Sequence, residues 1–160
     1  MTQHSAQIAI IGGGISGLWL LNSLRNAGYD AVLFEKNALG SHQTFASQGM
    51  IHGGIKYALG GFTTPASETI ANMPSVWRAC IAGQGPVDLK NLNLLSEDYF
   101  LFSDGSLSSK VTGFFASKSL RGRISALSKT DYPEVFADSG FKGSLYQLQD
   151  IVIDLSLIHI

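Results

Sequence analysis

The chain has 160 residues, 45% of them hydrophobic and 14% charged, with a formal net charge of −1. That balance describes a core-forming globular chain and excludes a disordered segment. Without a Lys/Arg cluster it also excludes a nucleic-acid footprint. Cys80 is the only cysteine, which excludes a disulfide framework and a cysteine metal site and leaves it as a small buried hydrophobe.

Residues Met1–Ala6 carry no basic stretch leading into an uninterrupted apolar run, so no secretory leader is read and a cytoplasmic location is expected. Ile8–Leu21 is apolar but interrupted by glycines and too short to span a bilayer. A peripheral membrane contact stays open.

Gln7–Ile11 is an apolar run rich in β-branched residues that breaks off at glycine, the pattern of a buried parallel strand entering a tight turn. Gly12, Gly14 and Gly17 have the G-x-G-x-x-G spacing. Ile15–Ala27 then repeats Leu18, Leu21 and Leu24 with a helical period, and Gly28 stands where the helix should stop. Ala31–Phe34 is a second apolar run, closed by Glu35. The order of strand, glycine turn, helix, strand and acid is that of a dinucleotide-binding unit. Gly12 permits the turn, Gly14 the approach of a pyrophosphate, and Gly17 close helix–strand packing. Ile15 and Ser16 open the helix, whose unpaired N–H groups and positive dipole end suit anionic phosphates. Glu35 follows Gly17 by eighteen positions, the place of the acid that hydrogen-bonds a ribose hydroxyl. A carboxylate there would repel a 2′-phosphate, so NADP is disfavoured and both FAD and NAD remain.

Asn37–Phe62 has neither period. Its glycines alternate with Phe45, Met50, Ile51, Ile55 and Tyr57, as in a ligand-contacting loop rather than a linker. Together, GGGISG, Glu35-Lys36 and TFASQGMIHGGIKYALGG (Thr44–Gly61) resemble the N-terminal region of FAD-dependent oxidoreductases of the D-amino-acid oxidase superfamily. Ile51–Tyr57 is similar to the flavin-side loop of the glycerol-3-phosphate and 2-hydroxyglutarate dehydrogenase branches. Ala46–Met50 is similar to that of the amino-acid-oxidising branch. The resemblance implies FAD as cofactor, with Lys36 beside the ribose acid and Thr44, Ser47, Gln48 and Gly49 lining the flavin and its phosphate arm. Leu21 replaces the alanine of many relatives, which implies different helix–sheet packing. Relatives that attach the flavin covalently use a histidine where this chain has Ala46, so non-covalent FAD is expected. His52 is the candidate acid–base or substrate-orienting residue; its alternative is a hydrogen-bonded residue that shapes the loop. Lys56 and Tyr57 read first as surface and packing residues.

Thr63–Ala82 places Ile70, Met73, Trp77 and Cys80 on a helical stripe, with Ser67 or Asn72 as caps. Pro74 would break one helix unless it opens a second. Gly83–Pro86 reads as a turn. Tyr99–Phe102 reads as a strand followed by a Ser103–Ser106 turn, Val111–Leu120 as a short helix, and Gly143–Asp154 as strands around Gln149-Asp150. Arg121 and Arg123 read as a solvated helix end, with anion binding as the alternative.

The fold expected is α/β: a Rossmann-like FAD/NAD(P)-binding domain with a parallel sheet, incomplete, and the start of an α+β substrate domain. The divisions expected are 1–85 for the nucleotide domain, 86–155 for the start of the substrate domain, and 156–160 as a non-native tail. The resemblance implies an oxidoreductase moving hydride to flavin N5 from an amine- or hydroxyl-bearing carbon of a small-molecule substrate, with an electron acceptor left open. The alternatives are an NAD-linked dehydrogenase and a flavin-binding module without turnover. Relatives complete their sheet from later in the chain, so these residues are expected to be an N-terminal fragment, inactive alone.

Overall fold

The apolar run before the glycines forms strand β1 (Ile8–Ile11), and the run after the helix forms β2 (Ala31–Phe34). They pair in parallel, with Ile8 opposite Ala31 and Ile11 opposite Phe34. The computed structural model describes residues 4–54, 69–103 and 124–157. The expected Val111–Leu120 helix, most of the Ser103–Ser106 turn, Lys56, Tyr57, Ser67, Arg121, Arg123 and His159 lie outside the described residues.

Helix α1 (Ile15–Asn26) joins β1 to β2. Its end is set by Gly28, whose φ of +87° is a left-handed value that glycine adopts without steric cost. The Gly28 N–H donates to the Arg25 carbonyl and the Tyr29 N–H to the Leu24 carbonyl, both at 3.0 Å. That pair of bonds is a Schellman closure, and it satisfies carbonyls the helix end leaves unpaired. Arg25 adds charge at the negative end of the helix and donates from Nε to the Ala31 carbonyl at 3.1 Å. Parallel pairing, crossover helix and glycine stop all match the α/β unit read from the sequence.

The chain divides into two units. The first takes residues 1–50, 75–94 and 153–160, and the second takes 51–74 and 95–152. The chain passes between them in helix α2 (Met73–Ile81) and in the short strands β3 (Met50–Ile51), β4 (Leu94–Ser96) and β8 (Ile151–Ile153). Pro74 falls in the first turn of α2, after Asn72 in a turn, so it opens a helix rather than breaking one.

In the first unit Trp19 of α1 meets Trp77 of α2 with ring centroids 5.1 Å apart. Cys80, Val87, Leu89 and Leu92 are buried with Trp77. Cys80 is thus the small interior hydrophobe its composition suggested. The Ile153 N–H donates to the Gly49 carbonyl at 2.8 Å and the Asp154 N–H to the Asn93 carbonyl at 2.9 Å, which ties the returning segment into this unit.

The second unit is built on an antiparallel sheet in the order β5 (Tyr99–Ser103), β7 (Ser144–Leu148), β6 (Ile124–Ala126). Leu145, Tyr146 and Leu148 of the central strand are buried. The sequence reading omitted β6 and the one-turn helix α3 (Glu134–Ala137), both too short to show a period. Phe102, Tyr132, Phe136 and Phe141 form an aromatic cluster, with Phe136 and Phe141 closest at 5.4 Å. Tyr132 also ties the backbone: its hydroxyl donates to the Gly143 carbonyl and accepts the Leu145 N–H, each at 3.2 Å. Tyr132→Phe would keep the ring and strand the buried Leu145 N–H. It should lower stability by about 1–2 kcal/mol, read as an earlier urea midpoint; an unchanged midpoint would mean that water replaces the hydroxyl.

Candidate nucleotide-binding site

Leaving β1, the chain turns at Gly12, whose φ of +108° would strain any residue with a side chain. The Gly12 N–H still donates to the Phe34 carbonyl at 2.9 Å, so the turn begins on the sheet. A Cβ on Gly17 would lie 2.0 Å from the Gly12 carbonyl oxygen and 3.4 Å from Leu33 Cδ1. Only glycine lets the first turn of α1 press against both the preceding loop and β2. Those two residues place the helix N-terminus at the end of the sheet.

Gly14 is the N-cap of α1, with extended backbone and no side-chain cap of its own. The cap comes from the loop: Thr44 Oγ1 accepts the Ile15 N–H at 3.0 Å. A Cβ on Gly14 would sit 3.3 Å from that hydroxyl, so Gly14 serves by openness and not by an unusual dihedral. The N–H groups of Gly14 and Ser16 meet no acceptor among the described residues. With no acid in the first helical turn, this end of α1 offers donors and a positive dipole to an anion.

Glu35, at the end of β2, turns back to the glycines. One carboxylate oxygen accepts the Gly13 N–H at 2.6 Å, and the other accepts the Asn37 N–H at 2.9 Å. The Gly13 N–H first, and then that of Asn37, hold its carboxyl below the ordinary glutamate range. Each oxygen keeps a second lone pair with which to accept a ribose hydroxyl. The acid read as a ribose contact is therefore also a latch on the turn.

Gly13 is buried, and a Cβ there would come within 2.7 Å of Leu39 Cδ2 and 3.0 Å of Glu35 Cβ. The motif spacing passes over Gly13, although the run of three glycines carried the signal. Asn37 was not singled out, and His42, which reads as an ordinary surface residue, is exposed. His42 holds a left-handed φ of +58°, uncommon for a non-glycine residue, and its Nε2 lies 3.1 Å from Asn37 Nδ2.

Thr44 faces the helix terminus, and Ser47 Oγ donates to the Thr44 carbonyl at 2.9 Å. Lys36, Ser47 and Gln48 are exposed, whereas Gly49 is buried with a φ of +66°. The structure thus brings Gly12, Gly14, Ile15, Gly17, Glu35 and Thr44 together in the first unit, with Ser47 joined to them through Thr44. His52 belongs to the second unit, where its Nδ1 accepts the Gly54 N–H at 3.2 Å. No group of three or more His, Cys, Asp or Glu side chains suited to a metal occurs among the described residues. None of their helices is long and apolar enough to cross a membrane. Open amides at a helix N-terminus, a cradle that a Gly14 side chain would fill, and an acid bonded to the Gly13 N–H fit a pyrophosphate joined to a ribose.

Residues 7–154 match the family described as FAD dependent oxidoreductase. The probable FAD-dependent oxidoreductase PA4991 of Pseudomonas aeruginosa is 51% identical over 151 residues, covering 94% of this chain and 39% of that protein. Its crystal structure superposes with a TM-score of 0.70 at 40% identity, over 97% of this chain and 35% of that one. A glycerol-3-phosphate dehydrogenase of Pseudomonas tolaasii is 42% identical over 50 residues, 31% of this chain and 10% of that protein. The L-proline dehydrogenase of P. horikoshii has a TM-score of 0.68 at 16% identity, over 97% of this chain and 40% of that one, a likeness of fold. The chain therefore spans well under half the length of the relatives it matches.

The latch has a pH signature. A carboxyl whose folded value is depressed adds stability above its unfolded value, about 4.3, and loses it as pH falls through the lower folded value. The Glu35 side-chain 13C signal should therefore titrate below the ordinary glutamate range. A midpoint at or above that range would show that the Gly13 and Asn37 bonds are not held in solution.

Proposed function

The chain belongs to the FAD dependent oxidoreductase family, and we propose that it anchors FAD non-covalently in an enzyme that oxidises a small molecule at an amine- or hydroxyl-bearing carbon. The observation that carries this reading is the joining of Gly12–Gly17, Glu35 and Thr44 at one helix terminus. FAD, when bound, supplies the hydride acceptor at N5.

The residues of this chain bind and orient. The Gly14 and Ser16 N–H groups receive pyrophosphate oxygens, with the α1 dipole adding attraction. Glu35 accepts from the adenosine ribose while its bonds to Gly13 and Asn37 keep the turn in place. Lys36 follows it on the exposed side. Thr44 Oγ1, which caps Ile15, has its proton to give to a phosphate oxygen. Ser47, Gln48 and Gly49 continue the loop that borders the flavin, with His52 at its end. Ala46, where covalently flavinylated relatives carry histidine, supports non-covalent attachment.

Residues 1–85 would form the first part of the FAD-binding domain and 86–155 the beginning of the substrate domain. The substrate classes supported are amino acids, 2-hydroxy acids and glycerol 3-phosphate. The glycerol-3-phosphate dehydrogenase likeness falls among them.

Anaerobic mixing of the FAD-loaded full-length protein with those three classes tests the reading. One class should bleach the flavin absorbance. Bound FAD that no class bleaches would instead support a flavin-binding module without turnover. Glu35→Ala should weaken FAD binding about tenfold, as loss of a hydrogen bond to a charged group does. Gly14→Val should weaken it further, because its side chain enters the pyrophosphate's approach. Unchanged affinity in both variants would sink the assignment of the anchor.

A further inference from the structure

Asp150 is the one carboxylate buried among the described residues, at 5% exposure, and the anchoring of FAD makes no use of it. A buried carboxylate is costly unless its oxygens are bonded. This one, in the turn between β7 and β8, accepts the Gly53 N–H at Oδ1 over 2.9 Å, across 97 sequence positions. Gly53 packs at ordinary contact distance from its neighbours, so the Asp150 bond is what ties its N–H in place. A Cβ there would lie 3.5 Å from the Ala71 carbonyl oxygen, 3.5 Å from Asp150 Oδ1 and 3.7 Å from Pro74 Cγ.

The next residue carries the effect to a side chain. Gly54 is buried with a φ of +72°, and its N–H donates to Nδ1 of His52 at 3.2 Å. When Nδ1 of a neutral imidazole accepts, the proton resides on Nε2. His52 itself is exposed, so that Nε2–H is accessible as a donor.

We infer that Asp150 is a positioning residue: by fixing Gly53, and with it Gly54, it holds His52 in the Nε2–H form, a hydrogen-bond donor to an oxygen acceptor rather than a base. The inference rests on the reading that the Thr44–His52 loop borders the flavin. The acceptor is then an oxygen of the flavin ring or of the bound substrate. Nothing in the loop's own sequence announces Asp150, because the bond joins residues 97 positions apart.

Imidazole 15N spectra of the FAD-loaded full-length protein test it. The wild type should show His52 with Nε2 protonated and Nδ1 bare; an Nδ1–H form would overturn the inference at once. Asp150→Ala should convert His52 to a mixture of tautomers. Asp150→Asn, whose Oδ1 can accept the same bond, should restore the single form. A merely structural Asp150 would lower stability in the Ala variant and leave the tautomer unmoved, which also overturns the inference. Asp150→Leu, which also offers no acceptor, gives the same reading should the Ala variant fail to fold. His52→Phe locates the acceptor: a shifted flavin spectrum without substrate marks the flavin, and a KM raised about tenfold, the loss of one hydrogen bond, marks the substrate. Neither change would refute the loop's place at the flavin while leaving the tautomer result intact.

Discussion

The nucleotide site depends on one close approach, the first turn of α1 packed onto the Gly12 carbonyl at Gly17. A methyl at position 17 would meet that oxygen at 2.0 Å, a distance no neighbour can absorb by small adjustment. Because the approach is possible, the helix begins immediately at the end of the sheet and its open amides gather there. Thr44 then caps Ile15 from the following loop, and Glu35 closes on Gly13 from the end of β2. Three segments separated in sequence are fixed around one helix terminus by backbone N–H donors.

The bond between Glu35 and Gly13 ties the acid to the glycine turn. A ribose contact alone would leave its orientation to the ligand. Here backbone donors hold both carboxylate oxygens and favour the charged form. A charge held there would accept from a free 2′-hydroxyl and oppose a 2′-phosphate, which agrees with the family's use of FAD. His42 and Asn37 extend this side of the site, with His42 in a left-handed conformation that the surrounding turn must sustain.

What the sequence disclosed follows from how local each feature is. β1, α1, β2 and the stop at Gly28 were legible because periodicity, glycine spacing and the Schellman closure all act within a few residues. The role of Gly17 was legible because the strand–turn–helix context dictates it. Gly13 was overlooked, since its packing against Leu39 and Glu35 follows from the turn's three-dimensional course and not from the motif spacing. The bonds Thr44–Ile15 and Asp150–Gly53 cross 29 and 97 positions, and no pattern in either segment specifies its partner. In the second unit, β6 and α3 are held by pairing with β7 and by the aromatic cluster, so their short sequences carry little signal.

The central claim is that FAD is held by the amides at the start of α1 and by Glu35. The most direct measurement is a backbone-amide titration of the full-length apoprotein with FAD and, separately, with ADP, which contains only the pyrophosphate and adenosine. The account predicts that the Gly13, Gly14, Ser16 and Thr44 amides shift with both ligands in the same direction. Stoichiometric FAD binding that leaves those four amides unmoved would contradict it.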